Sequence, residues 1–280
     1  MTQPSPMTDR TALAHARDRA RRAPAYFLQE DAAAEVKERL NEVNRTFTRV
    51  AVVTPFSKIW ARLMPGATLV PDDDVLALAP DAYDLVIHAL CLHWSNDPVG
   101  QMIQCRRALV PDGLFLATLF GGQTLHELRA ALAEAEVAHS GGLSPRIAPM
   151  GALHDLGALL QRAGFALPVA DTTRRTVTYR DMHALLHDLR AMGETNVLNA
   201  RRKNIPPRAM FRNAAARYVA RWGDEKGRIP ALFETIFLTG WAPADSQPKP
   251  LRPGSANQRL ADALLTKEVA LPDKAPHPPD

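Results

Sequence analysis

The chain has 280 residues, 46% of them hydrophobic, which is enough to bury one large core or two small ones. Its 34 basic and 30 acidic side chains are interspersed and leave a formal charge of +4, so despite a pI near 9.3 no nucleic-acid footprint stands out. No apolar run approaches membrane-spanning length and the first residues lack the apolar core of a secretory signal, so no membrane span is expected and the protein is expected to be cytoplasmic.

Residues 9–22 and 30–47 are predicted helical. The Arg-rich first stretch, Arg10 to Arg22, is interrupted by Asp18 and preceded by Asp9, so it reads as a solvated helix face rather than a mitochondrial presequence. In the second, Val36, Leu40, Val43 and Phe47 make one apolar stripe. Val50–Val53 is the first strand, and Pro55 opens a helix to about Leu63. After Ala67–Val70 comes the acidic turn Asp72-Asp73-Asp74. Leu85-Val86-Ile87 is continuous and apolar, the pattern of a strand buried on both faces of a parallel sheet. Asn96-Asp97-Pro98 supplies a cap and a first-turn proline for a helix carrying Val99, Met102, Ile103 and Leu109. Pro111-Asp112-Gly113 then turns the chain into the apolar run Leu114–Phe120, closing a right-handed βαβ unit. Cys91 and Cys105 lie inside that unit and read as small apolar side chains of a reducing compartment.

Gln123–Ala138 is predicted helical, followed by a Gly- and Pro-rich loop, Ser140–Pro149. A helix over Met150–Ala163 stops at Gly164, before a strand Phe165–Val169 and an alternating run Arg174–Tyr179. Helices Arg180–Met192 and Arg208–Trp222 flank a basic linker, and Ala231–Trp241 suits the last strand. The tail after Pro243 is rich in proline and charge and is expected to be largely disordered.

A D-L-V strand, a loop, a helix ending R-x-L and P-x-G before an apolar strand resembles the later half of class I S-adenosylmethionine-dependent methyltransferases. Leu92-His93-Trp94-Ser95-Asn96-Asp97, Phe120-Gly121-Gly122-Gln123-Thr124-Leu125 with Glu127-Leu128-Arg129, Gly141-Gly142-Leu143-Ser144-Pro145 and Met192-Gly193-Glu194-Thr195-Asn196 narrow the resemblance. They are similar to one branch, the methyltransferase-like assembly factors of respiratory complex I, whose mitochondrial members are arginine hydroxylases. The resemblance implies an α/β fold with a mostly parallel, Rossmann-like sheet. It also divides the chain into N-terminal helices (1–48), a methyltransferase-like domain (49–242) with a helical insertion at about 180–222, and the tail (243–280).

One departure bears on the cofactor. Such methyltransferases carry a Gly-x-Gly-type loop after the first strand, because only glycine lets the backbone approach the ligand closely. Here that turn reads Val53-Thr54-Pro55-Phe56-Ser57, without a glycine. The chain between Leu63 and Asp72 is too short for two strands and a helix, so the sheet is expected to be one strand-helix unit short. If Asp72–Asp74 is the adenine-side acid, the second strand and its ribose acid are missing; alternatively Ala67–Val70 is itself the second strand and the third is missing. S-adenosylmethionine binding is therefore expected to be weak or absent.

Asp73, His93 and Trp94 are the cofactor-side candidates, the last two because they follow a central strand where open α/β sheets place their crevice. The structural alternative for them is a capped helix entry with a buried indole, and His88 inside the strand reads as a core histidine. Gly121 and Gly122 open a helix whose amides could receive an anion or a carbonyl. With Arg129, Arg146, Glu194 and Asn196 they form the substrate-side candidates. His183 and His187 stand at i,i+4 spacing, but such pairs occur on helix faces without metal, and no metal site is expected. The function the resemblance implies is action on, or assembly of, a protein subunit of NADH:quinone oxidoreductase, with arginine hydroxylation as its chemistry. An S-adenosylmethionine-dependent methyltransferase and a non-catalytic assembly chaperone are the alternatives.

Overall fold

In the computed structural model, which describes residues 6–248, the apolar runs assemble into a single six-stranded sheet of order β2-β1-β3-β4-β6-β5. Its strands are β1 (Val50–Val53), β2 (Thr68–Val70), β3 (Tyr83–Ala89), β4 (Leu109–Phe120), β5 (Ala166–Tyr179) and β6 (Ile229–Trp241). The first four run parallel, and β6 is antiparallel to both of its neighbours. The helices are α1 (Arg10–Ala20), α2 (Phe27–Glu42), α3 (Ser57–Leu63), α4 (Pro98–Ala108), α5 (His126–Ser140), α6 (Leu153–Arg162), α7 (Met182–Met192) and α8 (Arg208–Trp222), with one 3₁₀ turn at Leu92–Trp94. All of them belong to the compact unit that closes at Ala244.

Burial on both faces explains the unbroken apolar pattern of β3 and β4. Leu85, Ile87, Leu114 and Leu116 pack on one side with Trp60 and Val36, while Val86, Phe115 and Leu119 pack on the other with Met102 and Leu160. A third cluster joins α5, α7 and α8 to Phe120 and to Phe233 at the start of β6. α7 and α8, the helical insertion, separate β5 from β6 and form one wall of the space beyond the parallel strands' carboxyl ends.

The sheet is one strand-helix unit short, as the sequence predicts. β2 pairs directly with β1, Ala51 opposite Thr68, which is the second strand's place in a doubly wound order. Of the two alternatives for Ala67–Val70, the missing edge strand is therefore the third, and Asp72 follows the second.

Three local expectations are corrected. The second helix ends at Glu42, because Asn44 adopts the left-handed region (φ 50°) that asparagine tolerates; Val43 and Phe47 still pack beside Leu40. Phe165–Val169 and Arg174–Tyr179 are not separate strands: β5 is continuous along β6, with one irregularity between Ala166 and Val169 around Leu167 (φ 49°). The face of α1 is not wholly solvated either, since Arg17 is buried. The tail after Pro243 falls mostly, over 249–280, outside the described residues.

Candidate functional site

Where the parallel strands end, the chain leaves two neighbouring cavities, the crevice position of open α/β sheets. The first, of about 320 Å³, lies beyond β3 and β4. Its walls are Trp94, Phe120, Leu128, Leu189, Phe211 and Phe233, with Arg146, Arg190, Glu194 and Asn196 supplying the polar groups. Glu194 follows Gly193, whose left-handed conformation (φ 83°) ends α7 and turns the chain into the cavity wall. The carboxylate is held from one side only: the Trp94 indole Nε1–H donates to Oε2 at 2.8 Å, and His93 Nε2 lies 3.3 Å from the same oxygen. His93 Nδ1 is buried without a partner. Asn196 donates to the Pro145 carbonyl at 2.9 Å and so ties this turn to the Ser140–Pro149 loop.

In that loop Arg146 grips Glu136 of α5 with two hydrogen bonds (3.0 and 2.8 Å), and Ser144 adds two more. Burial pushes the Glu136 carboxyl up, but the Arg146 and Ser144 donors outweigh it and hold the pKa down to about 2. Arg146 is thus a strut of the cavity wall.

The amides on either side of Gly122 are already taken. Gly121 N–H donates to the Glu234 carbonyl at 2.8 Å and Gln123 N–H to its carboxylate at 3.0 Å, so the strand-to-helix turn is filled from β6 by the protein's own acid. A Cβ on Gly121 would stand 2.5 Å from Glu234 Oε2. Arg129 folds back onto the carbonyls of Gly122 and Thr124 at 3.5 and 3.3 Å. Leu125, a cavity residue at the head of α5, is held at φ 53°, a strained conformation beside the cleft that the sequence does not signal.

The second cavity, about 450 Å³, lies beyond β1 and β2 and is lined by Arg10, Arg17, Arg21, Thr54, Pro55, Asp72 and Asp73 among others. Asp73, the sequence candidate, keeps its side chain 74% exposed, and the buried acid is its neighbour Asp72. Both Asp72 oxygens are taken by Arg17, Nη1 and Nη2 each at 2.8 Å, while Arg10 donates to the Asp72 carbonyl. Helical spacing of Arg10, Arg17 and Arg21 on one face of α1 was the signal for this cluster. The glycine-free loop is likewise closed on itself: Phe56 N–H donates to Thr54 Oγ1 at 3.1 Å, Arg21 caps the Pro55 carbonyl at 2.8 Å, and the Phe56 ring is buried edge-on against Tyr26.

Between the two cavities His88 is fully buried. Its Nε2 meets Gln101 Oε1 at 3.0 Å and its Nδ1 meets Cys91 Sγ at 3.4 Å, which assigns the Nε2–H tautomer. Burial lowers its pKa to about 4, so it is the neutral core histidine the sequence predicts. His183 and His187 are exposed, and among the described residues no group of three or more His, Cys, Asp or Glu could hold a metal ion. No described helix is long and apolar enough to cross a membrane.

No protein-family model matches the chain. Among curated proteins it is 35% identical over 262 residues to the arginine-hydroxylase NDUFAF5, mitochondrial, of Danio rerio, covering 84% of this chain and 81% of that one. It is 39% identical over 211 residues to the Homo sapiens protein of the same name, covering 75% of this chain and 61% of that one. A malonyl-[acyl-carrier protein] O-methyltransferase of Xylella fastidiosa (strain M23) is 38% identical over 180 residues, 64% of this chain and 58% of the relative. The expectation of a cytoplasmic protein is overturned here, because the NDUFAF5 relatives are each named as mitochondrial. That expectation rested on the first residues, on the lack of a membrane-length apolar run and on two cysteines read as those of a reducing compartment.

Proposed function

The chain belongs to the family of the arginine-hydroxylase NDUFAF5 proteins, and from that premise we propose that it receives a protein arginine in the cleft beyond β3 and β4 and directs its hydroxylation. The observation that carries this is Glu194. An arginine offers an apolar stem and a planar, permanently charged fork, and this cleft offers aromatic and leucine walls leading to one carboxylate whose free face is open. Trp94 and His93 hold that carboxylate in place, so little ordering is left for binding to supply.

Hydroxylation breaks a C–H bond and forms a C–O bond. With dioxygen as oxidant, the second oxygen atom leaves as water, and a reductant supplies two electrons and two protons. This chain's residues account for holding and orienting the arginine; the oxidant and reductant are brought to it.

The methyltransferase reading is disfavoured because the residues beyond β1 and β2 do not fit S-adenosylmethionine. Phe56 fills the place of the glycine loop, and the acid after the second strand is spent on Arg17. The non-catalytic chaperone reading draws on the same cleft without the oxidation. The partner we propose is the one implied by resemblance, a subunit of NADH:quinone oxidoreductase. Deleting the gene and measuring both the assembly of that complex and the mass of its arginine peptides separates the cases. Loss of both supports the hydroxylase, and loss of assembly with a normal peptide supports the chaperone. No change in either refutes both.

A further inference from the structure

We propose that Arg17 fills from within the chain the place that a ribose-bearing cofactor takes in this fold, and that by doing so it positions Glu194 at the end of the substrate cleft. The second half rests on the reading of Glu194 given above; the first does not. Asp72 follows the second strand, where doubly wound folds keep the acid that receives ribose hydroxyls. A diol would bind through the same carboxylate lone pairs that Arg17 occupies with two 2.8 Å hydrogen bonds, and both side chains are nearly out of solvent, 9% and 7% exposed. The guanidinium therefore stands in for the ligand.

Its stem runs beside the turn that precedes Glu194. A Cβ built on Gly193 would stand 3.5 Å from each of Arg17 Cγ, Ala20 Cβ and Phe56 Cζ, so the left-handed turn that aims Glu194 rests on the groups that close the cofactor side. The same N-terminal segment is laced to the flanks of the cleft. Thr8 exchanges hydrogen bonds with Asn96, Asp9 N–H donates to the Val197 carbonyl at 2.8 Å, and Arg201 pairs with Asp9 at 2.9 Å. Arg17 is a positioning residue for Glu194 within that arrangement.

Two measurements on the full chain test this. Calorimetry with S-adenosylmethionine and S-adenosylhomocysteine is expected to give no saturable heat even at millimolar ligand; micromolar binding by the unaltered protein overturns the first half. Indole N–H resonances of the ¹⁵N-labelled protein test the second half without any substrate, because the Trp94 indole donates to Glu194 whereas that of Trp60 donates to Gln29 at 2.8 Å. In Arg17→Met the Trp94 signal, assigned with Trp94→Phe, is expected to shift and to exchange with water at least about tenfold faster, as local opening dictates, while Trp60 stays in place. Asp72→Asn, which keeps the Arg17 stem and removes one charge of the pair, is expected to move Trp94 in the same direction. A Trp94 signal unmoved in a folded variant overturns the positioning role. An unaltered protein that binds no arginine peptide would instead sink the function proposed above and leave both measurements standing.

Discussion

Glu194 accepts the Trp94 indole hydrogen at 2.8 Å from 100 residues away in sequence, joining the end of α7 to the turn after β3. The bond fixes one oxygen of the carboxylate and leaves the other for a ligand. Glu194→Gln keeps the size and an indole acceptor but removes the charge. Charge-assisted hydrogen bonds contribute about 1.5–3 kcal/mol, so the variant is expected to weaken an arginine-bearing peptide by about 10- to 100-fold. Calorimetry against that peptide and its citrulline counterpart checks this; equal affinities of the unaltered protein for the two peptides would refute a carboxylate–guanidinium contact.

His88 makes the protein acid-sensitive. Its folded pKa, about 4, lies below the ordinary 6.5, chiefly through burial. Between those values the unfolded chain binds a proton that the folded one does not, so stability is fully present above pH 6.5 and falls as pH drops toward 4. The lowered pKa corresponds to about 3 kcal/mol across that window. Urea unfolding at several pH values should show the slope, and His88→Gln should flatten it; an unchanged slope would mean that His88 titrates normally.

The βαβ unit was legible in the sequence because its signals are local: Asp97 caps α4 through Gly100 N–H at 2.8 Å, and Pro98 opens the first turn. Glu194 and Asn196 were legible through a motif at a helix end. What the sequence concealed is pairing over long distances. Asp72 reads as one member of an acidic turn and Arg17 as part of a solvated helix face until β2 and α1 bring them together across 55 residues. The turn at Gly121 and Gly122 looks like an anion site until β6 delivers Glu234 to the amides of Gly121 and Gln123. The continuous β5 was hidden because its middle, Ala170-Asp171-Thr172-Thr173, is polar and carries no apolar alternation by which a strand is read.

Arg146 and Glu136 brace the cleft wall and are unequal to lose. Arg146→Ala removes the nearest cation from a carboxylate that is 1% exposed, a change that costs about 3–5 kcal/mol for buried pairs, toward the low end here because the Ser144 donors and Arg202 at 3.7 Å remain. Arg146→Met with Glu136→Gln removes both charges and should cost less than the single change. Denaturant midpoints of the three proteins decide it; a double variant weaker than Arg146→Ala would contradict the assignment.

Adjacent glycines at the strand-to-helix turn should respond unequally to the same substitution. A methyl group at Gly121 would meet Glu234 Oε2 at 2.5 Å and both Glu234 Cγ and Ile236 Cδ1 at 2.9 Å, distances that side chains cannot accept without moving. Glu234 has little room to yield, since its carboxylate holds Gln123 N–H and Arg174 at 3.0 and 2.9 Å. Overpacking of this kind costs about 1–3 kcal/mol, so Gly121→Ala is expected to lower the urea midpoint and to disturb the head of α5 beside the cleft. At Gly122 the nearest atoms, the carbonyl oxygens of Met150 and Gly151, stand 3.6 Å away, an ordinary contact. Gly122→Ala should therefore unfold within about 0.5 kcal/mol of the unaltered protein. Equal midpoints for the two variants would show that Glu234 can leave the turn without cost, and that these amides are available to a ligand after all.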